Sequence, residues 1–139
     1  MRVVVDTNIF VSGLIASSGP PATIVDAVLR GTLTAVFSEE TLSELTEVLR
    51  RPRFSRYFTA RALDLESVIA DISQLIELVE TRPSNKRIRD RDDRPFVDLR
   101  LTSPRPIFFV TGDRVLTEDL SPDIPMISPA AFVRLLRTV

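Results

Sequence analysis

The chain has 139 residues, 44% hydrophobic and 27% charged, which is the size and balance of one folded domain spanning 1–139. It contains no cysteine and no histidine, which excludes disulfides, thiolate or imidazole zinc sites, cysteine nucleophiles and the Ser-His-Asp triad. Eighteen basic residues stand against 19 acidic ones, and all the basic ones except Lys86 are arginine. Arginine suits bidentate phosphate contact, although a coding preference for arginine gives the same composition. No stretch approaches the roughly 20 apolar residues of a membrane span, and Met1-Arg2-Val3-Val4-Val5 is too short for a signal peptide. A cytoplasmic location is the expectation.

Strand and helix signals alternate along the chain. Val3–Val5 is a β-branched run of strand length. Pro20-Pro21 opens a helix whose Ile24, Val25, Val28 and Leu29 share one face, with Gly31 placed as its C-terminal glycine. Leu33–Phe37 is a second strand. Ser38 caps the next helix, with Glu39 and Glu40 in its first turn and Leu42, Leu45 and Leu49 as its buried stripe. Pro52 stops that helix. Thr59 is the expected cap of another, whose stripe is Val68, Ile69, Ile72, Leu75 and Ile76. Leu78-Val79 makes a short third strand, and residues 81–94 form an arginine-rich loop. A helix follows from Asp92–Arg94 to about Leu101. Ile107–Val110 and Met126-Ile127 supply two more strands, and Ser128-Pro129 starts a last helix carrying Phe132, Val133, Leu135 and Leu136.

This alternation predicts an α/β fold with a mostly parallel sheet covered on both faces. Ligands of such sheets bind beyond the carboxyl ends of the strands. Asp6 directly follows the first strand, and Asp113 follows Ile107–Val110 after Thr111 and Gly112. Both acids therefore fall on that edge. Asp92 and Asp93 sit at the start of the intervening helix, and Glu44 lies one position off the leucine stripe of its own helix. Carboxylates converging on one edge repel each other, and a hard divalent cation removes the repulsion. With only oxygen ligands to offer, the chain favours Mg²⁺ or Mn²⁺, a site suited to phosphodiester hydrolysis. Each acid alone is also compatible with a turn or helix cap. The argument rests on two of them ending separate strands.

Four blocks in order resemble the PIN-domain nucleases. They are Val3-Val4-Val5-Asp6-Thr7-Asn8-Ile9-Phe10-Val11-Ser12; Ser38 to Leu45 with Val48-Leu49-Arg50-Arg51-Pro52; Asp90-Arg91-Asp92-Asp93 before Phe96; and Val110-Thr111-Gly112-Asp113. Together they are similar to the branch that holds toxins of toxin–antitoxin systems, relatives of VapC. The resemblance implies a three-layer α/β/α sandwich around about five mostly parallel strands and a Mg²⁺- or Mn²⁺-dependent ribonuclease. It carries the catalytic and metal-binding acids onto Asp6, Glu44 and Asp113. The third acid falls in the Asp92-Asp93 pair, with Asp93 nearer the helix that presents it. Thr7, Asn8 and Thr111 match supporting polar positions, and Gly112 allows close backbone approach. The resemblance further implies an RNA substrate, a cognate antitoxin protein and a homodimer. Pro95 and the proline-rich 101–106 depart from the family pattern.

The four glycines form neither a dinucleotide-binding fingerprint nor a phosphate-binding loop. The lone Lys86 does not serve a phosphoacceptor receiver, and Asp6-Thr7-Asn8 is not the Asp-x-Asp of a haloacid-dehalogenase-like phosphatase. The competing reading is a PIN-fold module that binds RNA or protein without cleaving. Two basic clusters suit phosphate tracking or plain solvation: Arg50, Arg51, Arg53 and Arg56, and the stretch Arg82 to Arg94, in which Arg87, Arg89 and Arg91 lead to the third acid.

Overall fold

The computed structural model describes residues 1–81, 99, 106–112 and 125–138. The apolar runs become five strands: β1 (Arg2–Val5), β2 (Thr34–Phe37), β3 (Glu77–Leu78), β4 (Phe108–Val110) and β5 (Met126–Ile127). They form one parallel sheet in the order β3-β2-β1-β4-β5. Side chains alternate across a strand, and here both faces are covered. Val3, Val5, Ala35, Phe37 and Val110 enter one core, while Val4, Val36 and Phe109 enter a second with Leu99. Burial on both faces is why β1 from Val3 on, β2 from Ala35 on and β4 are continuous apolar runs, without polar alternation. The result is a three-layer α/β/α sandwich.

Among the described residues six helices are complete: α1 (Thr7–Ile15), α2 (Pro20–Leu29), α3 (Glu39–Arg50), α4 (Pro52–Ala60), α5 (Leu65–Leu75) and α6 (Pro129–Leu136). The larger core takes Phe10 from α1, Ile24 and Val25 from α2, Leu45 and Leu49 from α3, and Phe132 from α6. Phe10 meets Phe37 edge to face at 5.6 Å, which pins α1 over the end of β2. A Cβ at Gly13 would collide with Val25 and the Pro21 backbone, so this glycine permits the close contact between α1 and α2.

Several expectations need correction. The α1 helix is absent from the sequence reading: its Thr7, Ile9, Phe10, Val11 and Gly13 are buried and only Asn8 and Ser12 are exposed, a polar stripe too narrow to mark it. Pro52 does end α3, but it also opens α4 as a first-turn proline. Thr59 is not a cap. It lies in the last turn of α4, and Asp64 caps α5. Leu29 was assigned to the buried face but is 42% exposed, and Ile107 lies just outside β4 and is 50% exposed. The expected loop 82–94 and the helix from Asp92–Arg94 to Leu101 lie outside the described residues, Leu99 excepted.

Candidate active site

The sheet order places the change of winding direction between β1 and β4. The chain proceeds from β1 through β2 to β3 on one side, then returns to β4 on the other. Loops leaving the carboxyl ends of those two strands diverge there and open a crevice, the general location of ligands in open α/β sheets. Asp6 leaves β1 at this point, and Thr111 leaves β4.

A hydrogen bond spans the crevice: the Thr111 hydroxyl donates to Asp6 Oδ2 at 2.9 Å. The Asp6 backbone N–H donates to the Val110 carbonyl at 3.0 Å, so main chain and side chain are tied to the same neighbouring strand. Asp6 is also the N-cap of α1. Its Oδ1 accepts from the Asn8 N–H at 3.4 Å, and its carbonyl accepts from Ile9 and Phe10 at 3.0 Å each. A helix N-terminus favours a negative charge at this position. Capping residue and candidate metal ligand are thus one half-buried carboxylate.

The second acid arrives from α3. Ser38 caps this helix in a reciprocal box with Thr41: the Thr41 N–H donates to the Ser38 hydroxyl at 3.2 Å, and the Ser38 N–H donates back to Thr41 Oγ1 at 2.9 Å. Both side chains are buried, so the start of α3 is fixed five residues before Glu44. The Thr7 hydroxyl then donates to Glu44 Oε2 at 2.7 Å, within the short range of a bond to a charged acceptor. Thr7 and Thr111 are 3% and 4% exposed. Each places its one hydroxyl proton on a carboxylate, at a net worth of about 1.5–3 kcal/mol.

The structure therefore brings Asp6, Thr7, Glu44 and Thr111 together. Asn8 enters through its backbone N–H, its side chain being exposed, and Gly112 is exposed, with none of the described residues within 4 Å of a Cβ added there. Asp92, Asp93, Asp113, Arg87, Arg89 and Arg91 lie outside the described residues. Thr41 was missed in the sequence, although Ser38-x-x-Thr41 is a variant of the capping-box pattern and could have marked it. At the ends of β2 and β3 a cavity of about 540 Å³ opens, lined in part by Glu39, Glu40 and Glu80. Its acidic lining is unfavourable to a polyanion.

A family model described as PIN domain matches residues 2–114. This chain belongs to the PIN domain family. The PIN domain is similar to an uncharacterized protein of Methanocaldococcus jannaschii, 27% identical over 116 residues that cover 84% of this chain and 73% of the relative. Its fold is similar to a chain of the crystal structure of VapBC2 from Rickettsia felis bound to a DNA fragment from their promoter. That match has a TM-score of 0.60 at 13% identity, covering 92% of this chain and 98% of the other. At that identity the likeness concerns the fold. No helix among the described residues is long and apolar enough to cross a membrane.

The donor set fits a hard divalent cation in kind. Asp6 and Glu44 offer carboxylate oxygens held in place by hydroxyls, and the chain has no imidazole or thiolate to divert the site toward zinc or copper. Among the described residues no three acids cluster closely enough to hold a metal ion.

Proposed function

We propose that this PIN domain is a Mg²⁺- or Mn²⁺-dependent ribonuclease and the toxin of a toxin–antitoxin pair. The observation that carries the reading is the hydrogen bond from Thr111 to Asp6 across the β1–β4 crevice, with Glu44 anchored beside it through Thr7. Family membership supports nuclease chemistry. Asp6 and Glu44 would hold the cation together with Asp113 and Asp93 or Asp92. When bound, the cation activates water and offsets charge on the leaving oxygen. Thr111 holds Asp6 in one rotamer and Thr7 holds Glu44, so neither carboxylate must be ordered during the reaction. The helix α1 N-terminus adds a positive dipole end beside Asp6, favouring its charged form.

The fold neighbour is VapBC2 bound to DNA from its promoter, which supports an antitoxin partner for this chain. RNA as substrate, a homodimer, a cytoplasmic location and a single domain over 1–139 complete the proposal. Its test is cleavage of single-stranded RNA in Mn²⁺ by the parent and by Asp6→Asn, with thermal melts of both. Asn keeps the shape of Asp6 and one acceptor oxygen but removes the charge. The expected loss is at least a thousandfold in rate, or about 4 kcal/mol, with the variant still melting cooperatively. A parental rate in the variant rejects the metal-nuclease reading. A parent that binds RNA and cleaves none leaves the binding module, and an unfolded variant makes Asp6 structural.

A further inference from the structure

Between Glu47 and Asp64 the chain has no acidic residue and carries five arginines, at 50, 51, 53, 56 and 61. The structure divides them into two groups. Arg50 is engaged by Glu66 through two hydrogen bonds of 3.0 and 2.9 Å, and Arg51 lies 3.9 Å from Glu47. Among the described residues the other three have no carboxylate within salt-bridge distance, and all three are exposed. Helical geometry sets Arg53 and Arg56 on one stripe, and Arg61 folds back toward it by donating to the Tyr57 carbonyl at 3.1 Å. Positions 53, 56, 57 and 60 fall at i, i+3, i+4 and i+7 on α4, with Arg61 as its C-cap. The opposite side of α4 buries Phe58.

Two of these arginines also lie over aromatic rings of α4. The Arg61 guanidinium lies 3.5 Å over the Tyr57 ring, and that of Arg53 lies 5.2 Å from the Phe54 centroid. A planar cation fixed on an aromatic ring presents a flat outer face as well as forked donors. Phosphates and unstacked bases together match such a surface, because bases stack on aromatic and guanidinium planes while arginines track the backbone. An acidic peptide would use the charge but not the planes. Arg50 stands six residues beyond Glu44 on α3, roughly 9 Å along the axis, and α4 begins at Pro52 after the extended Arg51.

We propose that the Arg53–Arg56–Arg61 face of α4, with Tyr57, is a docking surface for single-stranded RNA. For its ligand this inference rests on the ribonuclease reading, but its test needs no cleavage. Binding of a labelled single-stranded RNA is followed by fluorescence anisotropy in EDTA across a series of salt concentrations. The variants are R53A/R56A/R61A, R53K/R56K/R61K, and a control of equal charge loss on α2 and α6, R30A/R134A/R137A. The alanine triple should bind at least tenfold more weakly at low salt, with the log–log salt slope reduced by roughly 2, about 0.7 for each lost contact. The lysine triple should keep the slope yet bind more weakly, because an ammonium does not stack as a guanidinium does. The control should keep the parental slope. A parental slope in the alanine triple, an equal loss in the control, tighter binding of a duplex of the same sequence, or no RNA binding by the parent each overturns the inference. Should the alanine triple not melt cooperatively, Arg56→Ala and the lysine triple carry the same comparison. RNA binding that depends on α4 without cleavage in Mn²⁺ keeps this inference and rejects the nuclease reading. Cleavage with an unchanged slope does the reverse.

Discussion

Gly13→Ala sets two effects of opposite sign against each other, and the structure decides between them. In a helix interior alanine is favoured over glycine by up to about 1 kcal/mol. Gly13 lies two residues from the end of α1, so the gain is at the lower part of that range. Against it stands the missing space. A Cβ at this position would lie 2.8 Å from the Pro21 carbonyl carbon, and closer still to the Pro21 oxygen and Val25 Cγ2. Neither neighbour yields cheaply: Pro21 is backbone in the first turn of α2 with its φ fixed by the ring, and Val25 is a buried β-branched side chain with a stiff χ1. Relief requires α1 and α2 to separate, an overpacking cost of about 1–3 kcal/mol or more. The clash outweighs the propensity gain, and a net loss of about 1–2 kcal/mol follows. At roughly 3–5 °C per kcal/mol for a domain of this size, the melting temperature should fall by roughly 3–10 °C. Since α1 begins at Asp6, the displacement also reaches the candidate site. A melting temperature at or above the parental value would refute the reasoning.

Ala62 has the left-handed φ of 55°, which costs a residue with a Cβ about 1–2 kcal/mol. Ala62→Gly should remove that strain, less the roughly 0.5–1 kcal/mol entropy cost of glycine, and raise the urea midpoint slightly; a lower midpoint contradicts this. Arg2 binds Glu77 through two hydrogen bonds of 2.8 Å each, and these hold the Glu77 carboxyl below the usual carboxylate range. A depressed folded-state pKa gives stability that is present above the unfolded value of 4.5 and lost as pH falls through the folded one. Glu77→Gln should therefore lower the urea midpoint at pH 7 and converge with the parent as pH falls below 4.5 and through the folded-state value. With the Glu77 side chain 40% exposed, the difference should be that of a screened pair, under about 1 kcal/mol. Thr7→Val removes the hydroxyl that Glu44 accepts and should raise the Mn²⁺ concentration for half-maximal RNA cleavage while the protein remains folded; an unchanged Mn²⁺ dependence would make the Thr7 bond irrelevant to the metal.

Parts of the molecule were legible because a residue type and its position demanded the same thing. A β-branched run ending in an acid placed Asp6 at the strand edge, and Glu44, one step off the leucine stripe, stands half-buried at its border. Other parts were illegible for local reasons. An amphipathic period is clear only where a broad side of a helix meets water, and α1 buries Thr7, Ile9, Phe10, Val11 and Gly13 and exposes only Asn8 and Ser12. Two helix ends make the same point about turns. After α2 the Gly31 N–H donates to the Val28 carbonyl and the Thr32 N–H to that of Ala27, with Gly31 at φ 79°. After α4 the pattern repeats: the Ala62 N–H donates to Thr59 and the Leu63 N–H to Phe58, with Ala62 at φ 55°. Both are the same paired closure of a helix, but only the first displays a glycine. The second is held by its hydrogen bonds against the preference of its own residue. The expected helix start therefore fell on Thr59, five residues before Asp64. The site has a similar hidden layer. The acids are visible as acids, but which hydroxyl serves which carboxylate depends on β1 lying between β2 and β4. That order makes Thr111, 105 residues away in sequence, the neighbour of Asp6, a pairing that no local pattern contains.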